Sequence, residues 1–216
     1  MRRLAPLSAA LLLAACGSQA DLRPAARPAT APAPTREEPL PGEVRPADRP
    51  VPEPVRAALV RGGEAIVRLD PVRRVLELRD AATGELVGRE PAGAGPGQLA
   101  SDGEGLVWVT DVRLDALLVF MVEDGLVLSR RVALPGAPWA IVHDARRERL
   151  WVTLTALDLV ADIDAGDHPS VSGAFPSLPG ARAIDLGTDG RLLVRAGDRV
   201  QVVDPDRLDL QDVPRA

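Results

Sequence analysis

The sequence predicts an all-β domain built from a four-stranded unit repeated about four times. Three marks over residues 55–216 share a period near 40. Pro-Gly pairs stand at Pro96-Gly97, Pro135-Gly136 and Pro179-Gly180, with spacings of 39 and 44 residues. Trp108-Val109-Thr110 returns 43 residues later as Trp151-Val152-Thr153, and Ile66-Val67 and Leu193-Val194 stand 42 residues to either side. Aspartates close apolar runs at Asp80, Asp124, Asp164 and Asp204, with spacings of 44, 40 and 40. A fixed period of this size marks a repeat architecture in which each unit is one supersecondary motif.

The third unit shows the strands best. Trp139–His143 is a first strand, with a polar turn at Asp144–Glu148, and Arg149–Leu154 is a second. Leu159–Asp164 is a third, and Val171–Phe175 a fourth. Gly, Asp and Pro stand between the runs and supply turn conformations. No stretch of ten or more residues in this region carries a 3.6-residue apolar period. Four-stranded units at this spacing are the sign of a β-propeller, whose blades stack because one blade cannot bury both faces. About four blades fit in 55–216, as a small ring or as an open arc.

The pattern Pro-Gly-x-x-x-Ala-Ile-x-x-Asp with Leu-Trp-Val-Thr resembles the NHL and YVTN propeller repeats; Gly136–Asp144 with Leu150–Thr153 is the nearest instance. The resemblance spans roughly residues 55–210 in degenerate copies. Those families close rings of five to eight blades, which implies that an arc of four pairs with another chain. A homodimer is therefore one expected partnership.

The residues ahead of the repeats carry a different message. Met1-Arg2-Arg3 is a basic start, and Leu4–Ala15 is an apolar run too short for a membrane span of ~20 residues. It suits the hydrophobic part of a secretory signal. Leu13-Ala14-Ala15-Cys16-Gly17 resembles the lipobox of bacterial lipoproteins, and Cys16 is the single cysteine of the chain. In that family the thiol receives a diacylglycerol and a peptidase cuts before the cysteine. The resemblance implies removal of residues 1–15, a lipid on Cys16 and attachment to a cell or outer membrane on the extracytoplasmic side. Gly17 in place of Asp favours the outer membrane in a diderm host.

Residues 16–54 then read as a tether. Ten prolines lie between 21 and 54, from Pro24 to Pro54, with almost no large apolar side chain. Proline fixes φ and removes backbone donors, so a semi-extended spacer is expected. At ~3.1 Å per residue it reaches on the order of 100 Å.

Charge and chemistry narrow the function. The net charge is −5, all 26 basic residues are Arg, and no basic block occurs, so no nucleic-acid partner is expected. One cysteine excludes an intrachain disulfide and a thiolate metal cluster. There is no Lys for a phosphate loop, and Ser170-Val171-Ser172-Gly173 does not match a nucleophile elbow. His143 reads as a strand histidine, and Trp108, Trp139 and Trp151 read as core. Asp162, Asp164 and Asp167 with His168 are dense enough in oxygen ligands to suggest a divalent cation, but they lack the order of a calcium loop. No metal and no cofactor is therefore expected.

In a four-stranded blade, the loops before the first strand and between the second and third emerge at one end. That end carries Arg73, Asp111, Arg113, Asp158 and Arg195 in an interleaved, near-neutral pattern, whereas the other end is mostly acidic. Interleaved Arg and Asp offer forked donors and acceptors for pairing, so these five residues are the predicted ligand or partner face. The expected function is a membrane-anchored, non-enzymatic binding or scaffold module for an unidentified protein or small molecule. The alternative is a metal-assisted hydrolase or lactonase. Metal-dependent lactonases share the propeller fold and use Glu, Asn and Asp ligands, and this chain contains no Asn.

Overall fold

A computed structural model describes residues 39–214. Cys16 and the signal segment lie outside the described residues. Sixteen strands form four antiparallel four-stranded sheets. Blade 1 holds β2 (Ala57–Val60), β3 (Ala65–Asp70), β4 (Val75–Asp80) and β5 (Leu86–Pro91). Blade 2 holds β6 (Pro96–Ser101), β7 (Leu106–Asp111), β8 (Ala116–Val122) and β9 (Leu126–Ala133). Blade 3 holds β10 (Pro138–Asp144), β11 (Arg149–Leu154), β12 (Leu159–Asp164) and β13 (Val171–Pro176), within a residue of the sequence-based bounds. Blade 4 holds β14 (Ala183–Leu186), β15 (Leu192–Ala196) and β16 (Arg199–Val203).

The fourth strand of blade 4 is β1 (Glu43–Pro46), which pairs antiparallel with β16 from Glu43↔Val202 to Pro46↔Arg199. It lies inside the stretch expected to be tether, so the structured domain begins near residue 43 rather than 55. The reason is local. Gly42-Glu43-Val44-Arg45 is a four-residue gap between prolines, and at an outer sheet edge Pro46 has no ladder bond to lose. Residues 47–56, with Pro50, Pro52 and Pro54, then run from the outer edge of blade 4 to the inner strand of blade 1. The residues that follow β16 form a short 3-10 helix (Pro205–Arg207), pack Leu208 and Val213 against the apolar layers, and add a bridge from Gln211 to Ala174 on β13.

Alternating side chains build three apolar layers between consecutive blades. Val67 and Leu69 of blade 1 meet Val107, Val109 and Phe120 of blade 2. Trp108, Leu117 and Val119 of blade 2 meet Leu150, Val152 and Ile163 of blade 3. Trp151, Val160 and Phe175 of blade 3 meet Leu192, Val194 and Val203 of blade 4. Burying each such side chain contributes ~1.5–3 kcal/mol. The inner strands β2, β6, β10 and β14 pack in that order, but β14 and β2 do not pack on each other as the others do. The four blades therefore form an open arc.

This layering corrects one detail of the repeat. The spacing put Ile66 where Trp108 stands, but the structure puts Val67 there. Asp70↔Val75 and Asp111↔Ala116 close equivalent turns, which are 41 residues apart. A slip of one residue sends a strand's side chains to the opposite face.

Candidate ligand and partner face

Each blade turns from its second to its third strand at the end where its inner strand begins. In blades 1 to 3 a left-handed residue closes this turn: Arg74 (φ 57°), Asp115 (φ 46°) and Asp158 (φ 54°). The carbonyls of these residues accept hydrogen bonds from Ala92 N (2.9 Å), Leu134 N (2.7 Å) and Ser177 N (2.8 Å), where the chain leaves each outer strand. The carboxylates of Asp115 and Asp158 accept a second bond, from Ala137 N and Gly180 N, each at 2.8 Å. Asp and Asn are the side-chain types that best tolerate this conformation.

The predicted face residues sit at these turns, and the structure gives them different surroundings. Arg73 and Arg113 are exposed on the β3–β4 and β7–β8 turns. Asp158 is exposed, with its carboxylate committed to Gly180 N. Asp111 is wholly buried. One of its oxygens accepts from Gly95 N, Arg113 N and Leu114 N, and the other from Ala94 N at 2.7 Å. It fixes the entry to blade 2 and the following turn together. Arg195 is 8% exposed, and its Nη1 lies 3.5 Å from Asp48 Oδ1 without a hydrogen bond.

A second group gathers where the inner strands begin. Gln98 on β6 is buried, and its Nε2 donates to Arg182 O, just ahead of β14, at 3.4 Å. Thr110 Oγ1 accepts from Gln98 N and donates to Trp139 O at 2.7 Å. Trp139 is only half-buried, and the Arg182 guanidinium lies 4.6 Å over its ring. Arg56, at the entry to β2, is exposed. Sequence reasoning put Trp139 in the core with Trp108 and Trp151, which are 1% and 2% exposed. The missed signal was Pro54, Pro96 and Pro138, spaced by 42 residues: the last two open β6 and β10, and Pro54 stands three residues ahead of β2. The residue after each proline, and its counterpart in blade 4, is Val55, Gly97, Trp139 or Arg182, which is a variable ring on a fixed frame. Together these side chains offer a flat aromatic surface, guanidinium donors and a buried amide. Such groups recognise an anionic group joined to a planar or apolar body.

The opposite end holds the aspartates once weighed as cation ligands. Asp164 accepts from Arg149 and, at 2.6 Å, from Ser170 Oγ. Asp167 lies 3.5 Å from His168 Nε2. Asp162 is buried between Trp151 and Gly173 of the neighbouring strands, and one of its oxygens has no hydrogen-bond partner. Burial raises its pKa, against the pull of Arg149. Among the described residues no group of three or more His, Cys, Asp and Glu is arranged to hold a metal ion. His143 is half-buried with its ring centroid 5.1 Å from that of Trp108, and burial lowers its pKa.

No family model matches the chain, and no curated protein matches it. Solved structures do. The Cps50 (Swd1) β-propeller domain of Myceliophteria thermophila is 12% identical, with a TM-score of 0.55 over 68% of this chain and 52% of that one. A structure titled streptogramin B lyase is 14% identical, with a TM-score of 0.53 over 68% of this chain and 49% of that one. A putative 6-phosphogluconolactonase from Bacteroides uniformis is 16% identical, with a TM-score of 0.54 over 74% of this chain and 58% of that one. The fold is thus that of β-propeller proteins, and the chain spans about half the length of the solved structures it matches. No helix among the described residues is long and apolar enough to cross a membrane.

Proposed function

We propose that the chain is an extracytoplasmic lipoprotein, anchored through Cys16, whose propeller arc binds a ligand or partner at the end where the inner strands begin. The anchor rests on Leu13–Cys16 behind a short apolar run. The binding role rests on one observation above the rest: Trp139 is only half-buried and stacks with the Arg182 guanidinium, beside the hydrogen-bonded Gln98–Thr110 pair. Side chains that stack and fork serve recognition. The exposed Arg73 and Arg113 lie at the same end and extend the surface.

Two experiments test the two halves. Membrane fractionation with mass spectrometry of the N-terminal peptide is expected to find an acylated Cys16, and an unmodified cysteine in a soluble mature protein refutes the anchor. Pull-down from envelope extract is expected to lose its partners in Trp139→Ala and in Arg182→Glu. Arg146→Glu with Arg147→Glu, at the acidic end, is expected to keep them. Equal loss in the control refutes the face.

A further inference from the structure

Blade 1 has no preceding blade, and the face it would turn to one differs from its counterparts. On the side facing the preceding blade, the second strands β7, β11 and β15 present Val109, Val152 and Val194, all buried. Blade 1 presents exposed Arg68 at that position. On the same side, the third strands β8 and β12 present buried Leu118 and Ala161, and β4 presents Glu77. Arg89 on β5 stands opposite Glu77, so one row across the sheet reads Ala57, Arg68, Glu77, Arg89.

These charges are held in place. Glu77 is 7% exposed although no blade lies against it. Arg79 forks onto one of its oxygens, with Nε at 3.1 Å and Nη2 at 2.8 Å, and Arg89 Nη2 donates to the other at 2.6 Å. The hydrogen bonds from Arg79 and then Arg89 hold the Glu77 carboxyl below its usual range, so it stays ionised. Arg79 Nη1 donates to Gly84 O at 3.0 Å, which anchors every arm of that guanidinium. Arg89 commits one nitrogen and keeps donors to spare. Taking a carboxylate out of water is costly, and a face that only needs to be solvated has no use for it.

The same arginines line a cavity of about 490 Å³ together with Arg56 and Arg73, bounded by Leu69, Asp70 and Pro71. Arg56 and Arg68 make no ion pair among the described residues, and the Arg73 guanidinium lies 3.8 Å from Asp70, beyond hydrogen-bond distance. Five guanidiniums stand against two carboxylates, a surplus of three positive charges in a chain whose net charge is −5.

We infer that this cavity on blade 1 binds the phosphate group of a small soluble phosphate monoester. Guanidinium forks match pairs of phosphate oxygens, and a dianion answers a charge surplus that a single carboxylate leaves mostly unmet. The volume lies within the ~300–1,000 Å³ of small-molecule sites and leaves room for the body that carries the phosphate. Arg56 and Arg68 supply uncommitted donors, and Glu77 fixes Arg89 beside them. The cavity belongs to blade 1 and not to the surface around Trp139, so the inference goes beyond the proposed binding face and does not depend on it.

The test is calorimetry on the full chain carrying Cys16→Ser, with glycerol 3-phosphate as the probe. Saturable binding at one site per chain is expected. Arg68→Ala and Arg56→Ala are each expected to weaken it roughly tenfold with unchanged strand circular dichroism, the effect of losing one charged hydrogen-bond donor. Trp139→Ala is expected to leave it unchanged, as is Arg207→Ala, which removes an exposed arginine from the turn after β16. No binding at millimolar probe overturns the inference. So does an equal loss in Arg207→Ala, which would mean unspecific attraction, or a loss in Trp139→Ala with none in Arg68→Ala, which would move the phosphate to the other surface. Co-sedimentation with phosphatidylglycerol vesicles without any binding of glycerol 3-phosphate overturns it too, and would assign these arginines to an anionic membrane surface.

Discussion

Blades 2 and 3 have a neighbouring blade on both faces; blades 1 and 4 have a neighbouring blade on one. The interior blades place Trp108 and Trp151 at the centre of their layers, each with a threonine two residues later that is wholly buried. Both hydroxyls bond to the inner strands: Thr110 bridges Gln98 N and Trp139 O, and Thr153 accepts from Ala140 N at 3.0 Å. On the side without a neighbouring blade the end blades carry arginine: Arg68 where blades 2 and 3 have Val109 and Val152, and Arg195 where they have Thr110 and Thr153. One sheet design therefore tolerates two opposite surface chemistries, and what selects between them is whether another blade lies against that face.

The largest effect expected from breaking this contrast comes from the interior. Trp108→Ala removes a side chain that is 1% exposed and central to the layer between blades 2 and 3. Large-to-small changes of this kind cost ~3–5 kcal/mol. Equilibrium unfolding in urea is expected to show that loss. A cost below ~1 kcal/mol would mean that blades 2 and 3 do not pack as described.

Turn chemistry comes next. Asp111→Ala leaves four backbone N–H groups without their acceptor. Stranding buried donors costs ~1–3 kcal/mol, and the loss is expected in the same unfolding measurement. Arg113→Ala, two residues on and exposed, is expected to change stability by no more than ~0.5 kcal/mol. Asp111 and Arg113 are two of the five residues read as an interaction face, and this pair of variants separates holding the blade entry from meeting a partner.

One half-buried and one buried titratable group give the contrast a pH dependence. Burial lowers the pKa of His143, so the neutral ring is favoured in the fold. That contribution is whole above the ordinary histidine value near 6.5 and is lost as pH falls through the depressed value. Melting temperature is expected to drop between pH 7 and pH 5, and His143→Gln is expected to flatten the drop. Asp162 has the opposite sign. Its raised pKa means the fold prefers the protonated acid, so its contribution is present at low pH and lost as pH rises through the raised value. Asp162→Asn is expected to stabilise at pH 7 by about 1 kcal/mol, and the gain is expected to vanish near pH 3. A destabilised Asp162→Asn would show that the carboxylate is needed as the partner of Arg149, 3.7 Å away.

The all-β class, the number of blades and the third blade were legible because strand alternation and turn residues are local. The Trp-Val-Thr mark held strict register, since Val109 and Val152 face Leu99 and Ile141 at equivalent ladder positions. The Pro-Gly mark drifted. Pro96-Gly97 lies within β6, whereas Pro135-Gly136 and Pro179-Gly180 precede their inner strands. A loop absorbs a residue more or less, and a ladder does not. The strand supplied by Glu43–Pro46 was not legible, because its partner β16 is more than 150 residues away in sequence and its composition reads as spacer. The half-burial of Trp139 escaped notice for a similar reason: only the arrangement of the blades decides how far its ring is covered.

The smallest expected effect is the sharpest test of the comparison. Arg68→Val gives blade 1 the residue that Val109, Val152 and Val194 provide in the other blades. If blade 1 were covered by its own blade 4, valine would enter a closed apolar layer and contribute the ~1.5–3 kcal/mol of a buried aliphatic side chain. On an open face the gain should stay within ~0.5 kcal/mol, the range of surface substitutions. Urea unfolding of the pair, with and without Arg68→Val, is expected to superimpose. A gain above ~1 kcal/mol would mean that the arc closes on itself, and the contrast between end and interior blades would then need another cause.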